Sequence, residues 1–223
     1  MSFEKSLMLL GAALVTGSAM ADTTILSQDF QNAAFKGADY YMGSSSAASA
    51  NTDYYLVNNA EGWTFGDGAY YALDGDGNGA ISLNEVWSGG ASSTSAALAS
   101  YTLSDLLVGA TYTVHFNYWG DNRPGGSWSL DEYVGSTRSG SIAGTDAQAG
   151  STPGGTAGSF AFLATSASQS FGFGQSGSTG GASPIIDNVT VTTTAVPEPG
   201  AAWMALAGLG LLGVAARRKQ MRG

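Results

Sequence analysis

Ala110-Thr111-Tyr112-Thr113-Val114-His115-Phe116-Asn117-Tyr118-Trp119 is the stretch on which the fold turns. Tyr112, Val114, Phe116 and Tyr118 alternate with Thr111, Thr113, His115 and Asn117. A period of two, with aromatic and β-branched residues on one face, is the pattern of a half-buried strand. Phe160/Phe162, Phe171/Phe173 and Val189/Val191 repeat it more briefly. Tyr54 to Val57, Ala69 to Leu73, Ala80 to Val86, Leu98 to Leu103 and Ser127 to Val134 are further strand candidates, with Gly- and Asp-rich turns between most of them. Many short strands with frequent turns predict an all-β protein, an antiparallel sandwich or a barrel. Ser92 to Ser100 reads as a loop entering a strand. Ser136 to Gly158, almost without bulky apolar residues, reads as a long exposed loop with a short strand near Ser139 to Ile142.

The two ends are of another character. Lys5, the apolar run Leu7 to Val15 and the small-x-small site Ala19-Met20-Ala21 make a secretory signal peptide. At the other end Val196-Pro197-Glu198-Pro199 leads into an apolar run, Gly200 to Ala216, and then Arg217-Arg218-Lys219. Proline excludes the first part from a regular helix or a central strand. As a helix the 17 apolar residues would span roughly 25 Å. That is just short of a hydrocarbon core of ~30 Å. The basic cluster would stay on the cytoplasmic side. These boundaries divide the chain into a signal helix (1–21), a body (22–195) and a tail with one transmembrane helix (196–223).

The order Val-Pro-Glu-Pro, short span and basic end resembles the PEP-CTERM sorting signal of Gram-negative bacteria. The resemblance implies export through the secretion translocon and transient retention in the inner membrane. It also implies cutting near Pro197–Pro199 by an exosortase-type transpeptidase. The body would then pass to the cell surface, outer membrane or extracellular matrix.

The body holds three Lys/Arg (Lys36, Arg123, Arg138) against fifteen Asp/Glu, a net charge near −12. Such a surface speaks against nucleic acid, where phosphates need Lys and Arg, and against anionic lipid. The chain has no cysteine. It therefore relies on its core rather than on disulfides and offers no thiolate for catalysis or metal binding.

Gly62-Trp63-Thr64, the series Leu103 to Gly109 into Tyr112-Thr113-Val114-His115-Phe116, and Ile186-Asp187-Asn188-Val189-Thr190-Val191 resemble galactose-binding-type jelly rolls. These are found in exported PEP-CTERM proteins and in many carbohydrate-binding modules. The resemblance implies a two-sheet antiparallel β-sandwich, sometimes with a structural calcium and sometimes with a sugar site on its loops or concave face.

Two segments carry candidate site residues. Asp74-Gly75-Asp76-Gly77-Asn78-Gly79 through Glu85 fits the spelling of an EF-hand loop, with oxygens from Asp74, Asp76, Asn78 and Glu85. Neither flank reads as a helix. The segment is open between a plain Gly/Asp turn and a calcium site of another kind. Calcium is the one cofactor the residues allow for. Gly120-Asp121-Asn122-Arg123-Pro124-Gly125-Gly126 follows the aromatic strand, and Asp121, Asn122 and Arg123 supply an acceptor, an amide and a donor fork suited to sugar hydroxyls. Trp119 and Trp128 flank them as stacking platforms. A turn whose polar groups bond only the backbone is the alternative.

Catalytic signals are weak. His115, the lone histidine, shares a face with Thr113 and Asn117 and has no Gly-x-Ser-x-Gly partner. Asp131 and Glu132 are adjacent, so on a strand they point to opposite faces. The expectation is a non-enzymatic exported module, structural or carbohydrate-contacting and associated with exopolysaccharide. A calcium-dependent adhesion or matrix protein and a secreted polysaccharide hydrolase are the alternatives.

Overall fold

A computed structural model describes residues 22–41, 53–73, 78–83, 98–120, 126–145, 155–179 and 182–194. The signal peptide, the sorting tail, Asp74, Asp76, Glu85 and the trio Asp121-Asn122-Arg123 lie outside the described residues. No helix long and apolar enough to cross a membrane occurs among the described residues.

The period-two stretch forms a strand from Thr111 to Gly120, here β8. In chain order the strands before it are β1 (Thr23–Gln28), β2 (Lys36–Tyr41), β3 (Asp53–Val57), β4 (Trp63–Phe65), β5 (Ala69–Leu73), β6 (Gly79–Leu83) and β7 (Ala99–Leu103). After it come β9 (Ser127–Val134), β10 (Thr137–Thr145), β11 (Thr156–Leu163), β12 (Gln169–Thr179) and β13 (Pro184–Thr193). A single 3₁₀ turn, Ala33–Phe35, is capped by the Asn32 side chain, which accepts from the Ala34 amide.

The strands make two antiparallel sheets. The larger runs β11-β8-β13-β6-β5-β3-β2, and the smaller runs β10-β9-β12-β7-β4. β1 also joins the larger sheet, on the flank of β13 that β6 vacates: Ile185 and Ile186 pair with β6, and residues 189–193 with β1. The change of partner falls at a bulge between Asp187 and Thr190, where Asn188 adopts φ 51° and its amide bonds the Asp187 carboxylate at 2.7 Å. A bulge of this kind lets one strand serve two partners in succession.

Between the sheets lies the core. Tyr112, Val114 and Phe116 of β8 are buried, as their alternation requires. They face Leu130, Phe171 and Phe173 of the smaller sheet, and Phe116 meets Phe173 edge-on at 4.9 Å between ring centroids. Trp63 is tied edge-on to both Phe30 and Phe171. Each such aromatic pair adds about 0.5–1.5 kcal/mol beyond area burial. That suits a chain without disulfides.

Two readings of the sequence need correction. Ser136 to Gly158 is not mainly a loop: it contains the nine-residue β10 and the start of β11. Both are edge strands with one neighbour, which tolerates their small polar residues. Trp63-Thr64-Phe65, absent from the strand candidates, is itself a short strand. Asp74 to Asn78 joins the antiparallel pair β5–β6, whose last register partners are Leu73 and Gly79. β5 precedes the segment from Asp74 to Glu85 and β6 begins within it, in keeping with the reading of a turn between two strands, while Asp74, Asp76 and Glu85 lie outside the described residues.

The register also fixes the two ends of the sandwich. Thr193 lies beside both Thr23 and Tyr112, so the chain enters and leaves at the end where β8 begins. The opposite end, past Gly120, carries Pro184, Ser127, Thr145 and Thr179.

Candidate functional site

At the end remote from the termini is an open groove of about 420 Å³, lined by Ser127, Trp128, Ser129, Gly144, Thr145 and Gly177, with Ala143 at its edge. β9 and β10 form its floor, with Trp128 opposite Gly144 and Ser127 opposite Thr145. Gly144 is needed there. A Cβ at that position would lie 2.2 Å from the Trp128 ring, so only glycine lets the indole lie across β10.

Hydroxyls surround the indole. Ser127 and Thr179 share a hydrogen bond at 2.8 Å, and the Ser127 amide donates to the same threonine oxygen at 3.0 Å. Ser129 bonds Ser141, whose hydroxyl donates to Asp131 at 3.0 Å. Arg138 closes the row with an ion pair to Asp131 at 2.6 Å. A polar chain, Ser129–Ser141–Asp131–Arg138, thus runs from the groove along the outward face of the smaller sheet. Its anchor, Asp131, is 1 % exposed, while Arg138 is 48 % exposed and keeps donors free to face solvent.

Glu132 takes the other face, as adjacent strand residues must. It is in register with Phe173 on one side and Gly140 on the other, in a row that faces the core. A Cβ at Gly140 would strike its carboxyl oxygen at 2.2 Å. Burial pushes the Glu132 carboxyl above the usual range, because the charged form loses hydration there. The two neighbouring acids therefore sit in opposed environments and cannot act on one substrate atom.

The predicted stacking pair is split. Trp128 is 5 % exposed and meets Tyr118 edge-on at 6.2 Å, so it is a core residue that shows only part of its ring to the groove. Trp119 follows Tyr118 in β8, points to the other side of the larger sheet, and lies against Gly155. With Trp128 of β9 packed against Tyr118 between the sheets and Trp119 against Gly155 on the far side of β8, the two indoles do not form one sugar platform.

Asn78 is exposed in the β5–β6 connection. No group of three or more His, Cys, Asp or Glu side chains suited to a metal occurs among the described residues. His115 is exposed with its Nε2 3.4 Å from the Thr192 hydroxyl. A second polar cluster surrounds Tyr71, whose phenol is pushed up first by burial and then by the charges of Asp187 and Asp29.

Sequence reasoning passed over Arg138, Ser141, Gly144 and Gly177. The signal was present in the Gly135-Ser136 turn, where Gly135 has φ 61° and Val134 pairs with Thr137. A hairpin there brings Ser141 opposite Asp131 and Gly144 opposite Trp128.

Residues 195–219 match the family described as the PEP-CTERM protein-sorting motif. The chain thus carries this motif at its C-terminus, which implies an exported, exosortase-processed cell-surface protein. No curated protein matches the chain. In structure the body is similar to the CBM22-1 xylan-binding domain of Paenibacillus barcinonensis Xyn10C, with 11% identity, TM-score 0.47, and 81% of this chain and 100% of that one covered. It is also similar to the Stig cyclase Fisc of Fischerella sp. TAU, with 14% identity, TM-score 0.37, and 79% and 90% covered. A third similar structure is titled "CBM4 structure and function", with 14% identity, TM-score 0.30, and 66% and 81% covered.

Proposed function

We propose that this is a non-enzymatic surface or matrix protein whose sandwich contacts carbohydrate and whose tail directs it to an exosortase-type transpeptidase. The sorting motif at residues 195–219 is the observation that carries the destination. The signal peptide supplies export through the translocon, the apolar run holds the chain in the inner membrane, and cutting near Pro197–Pro199 frees the body. An acidic, cysteine-free sandwich is suited to an extracellular polymer matrix. Its charge keeps it soluble, and it needs no oxidation to fold.

Contact with exopolysaccharide is assigned to the groove. Its hydroxyls and the edge of Trp128 offer a mixed apolar and hydrogen-bonding surface, in the size range of small-ligand sites. In the sequence Asp121-Asn122-Arg123 falls between β8 and β9, and its polar kit is assigned to this same reading.

Mass spectrometry of the mature protein from fractionated cells tests the destination. The expected C-terminus lies near Val196–Pro199 in a surface or extracellular fraction, and an intact Arg217–Gly223 end in the inner membrane refutes sorting. A glycan array tests the body. Binding without turnover is expected, lost in Thr145→Trp, which fills the groove from an exposed edge position, with the melting temperature unchanged. Release of reducing ends that depends on one particular acid would instead establish the hydrolase.

A further inference from the structure

Five large apolar side chains are conspicuously exposed among the described residues: Ile25, Leu56, Leu107, Val108 and Leu163. Single exposed hydrophobes need no explanation, but a grouped set does. Leu107, Val108 and Leu163, between 56% and 59% exposed, belong to one rim. Leu107 to Ala110 is a tight turn closed by the Ala110 amide on the Leu107 carbonyl, with Gly109 at φ 86°. The Gly109 amide bonds Ala164 at 2.8 Å and the Ala164 amide bonds Ala110 at 2.9 Å, which straps this turn to the end of β11 beside Leu163.

The rim lies at the end where the chain leaves. Leu163 is in register with Thr111, and Tyr112 with Thr193. Thr194 bonds Asp22 at 3.1 Å, so both address segments depart beside this rim. Only residues 195–199 separate Thr194 from the apolar run that begins at Gly200. At ~3.3–3.6 Å per residue, the six steps from Thr194 to Gly200 allow at most about 22 Å. While the apolar run is in a membrane, this end of the sandwich is leashed to the bilayer surface.

From this placement we propose that the Leu107–Val108–Leu163 rim rests in the outer headgroup layer of the membrane while the tail is anchored, which turns the Trp128 groove away from the lipid. The proposal rests on the anchored-tail reading. The turn is suited to lipid because much of its backbone is already satisfied. The Leu107 amide is held by the Tyr112 hydroxyl at 2.8 Å, the Leu107 carbonyl by Ala110, and the Gly109 amide by Ala164. Unsatisfied backbone groups are what the apolar phase penalises. Charge selects the lipid. With Asp22 and Asp105 at this end and a body near −12, attraction to anionic headgroups is absent, and contact relies on apolar side chains in a neutral surface.

The absence of cysteine makes the test direct. Full-length protein carrying Val108→Cys, Ala207→Cys or Thr145→Cys is labelled with an environment-sensitive fluorophore and reconstituted into pure phosphatidylcholine vesicles containing spin-labelled lipid. Labels at 108 and 207 are expected to be quenched and blue-shifted, and the label at 145, at the groove end, to stay as in buffer. Quenching at 207 with none at 108 overturns the rim contact and leaves the anchor standing. A rim made for a protein partner gives that same result, since the vesicles hold no other protein. No quenching at either 108 or 207 overturns the anchor and the proposal together. Quenching at 108 equal to that at 145 shows no preferred end and also overturns it.

Discussion

Asp131 and Glu132 are consecutive in β9, yet one carboxylate meets Arg138 on the outward face while the other is turned into the sandwich beside Gly140. The first is charged and paired. The second is buried, with no cation paired to it among the described residues.

Arg138→Gln should cost stability, because it leaves Asp131 with the Ser141 hydroxyl as its only remaining side-chain donor from this row. Losing one partner of a fully buried pair costs about 3–5 kcal/mol, but the half-exposed Arg138 is screened by solvent. A loss of about 1–2 kcal/mol in urea unfolding is expected. A double-mutant cycle with Asp131→Asn should show coupling, and its absence would disprove the pairing in solution.

Glu132 makes stability depend on pH in the unusual direction for an acid. Its folded pKa lies above the unfolded value, so the fold binds the proton more tightly than the open chain does. This destabilisation is present at neutral pH, is relieved as pH falls through the folded pKa, and is gone below the unfolded value. Glu132→Gln should therefore raise the melting temperature at neutral pH, with the difference shrinking on acidification. An unchanged difference at every pH would mean that the carboxyl is hydrated.

Gly144→Ala should be destabilising out of proportion to one methyl group. The added carbon would meet the Trp128 indole at 2.2 Å, and that ring is wedged against Tyr118. Overpacking of this sort costs about 1–3 kcal/mol. The substitution should also distort the groove and weaken any glycan binding together with stability. Wild-type stability in urea would show that the indole lies elsewhere.

Calcium separates the two readings of Asp74 to Glu85. A plain turn between β5 and β6 predicts no change in melting temperature at millimolar calcium. A site would raise it by linkage, about 2.7 kcal/mol at a hundredfold excess over Kd. A rise that disappears in Asp74→Asn would assign the loop to calcium.

Much of the fold was legible, and unevenly so. β8 could be placed from alternation because its inner face is aromatic and β-branched, whereas β5 and β9 are strand candidates from their apolar residues and turn-rich flanks. β10 was legible only as a short strand near Ser139 to Ile142, because Thr137-Arg138-Ser139-Gly140-Ser141 carries almost no apolar signal and is held by pairing with β9. At the site, Trp128 could be singled out as an aromatic near a polar loop, but not as a core residue. Its neighbour across the ladder, Gly144, is 16 residues away in sequence.

By itself, the chain's sequence determined the sorting motif, the acidic cysteine-free body and the all-β class. These are properties of composition and local periodicity, which need no partner in space. Tertiary structure decided everything that depends on register. It placed Ser141 and Arg138 on Asp131, packed Trp128 of β9 against Tyr118 while Trp119 lies against Gly155, and brought Asp22 and Thr194 together at the end of β8 that carries the Leu107–Val108 turn. A side chain's face is local to its strand. Which distant strand it meets is chosen by the packing of the whole sandwich.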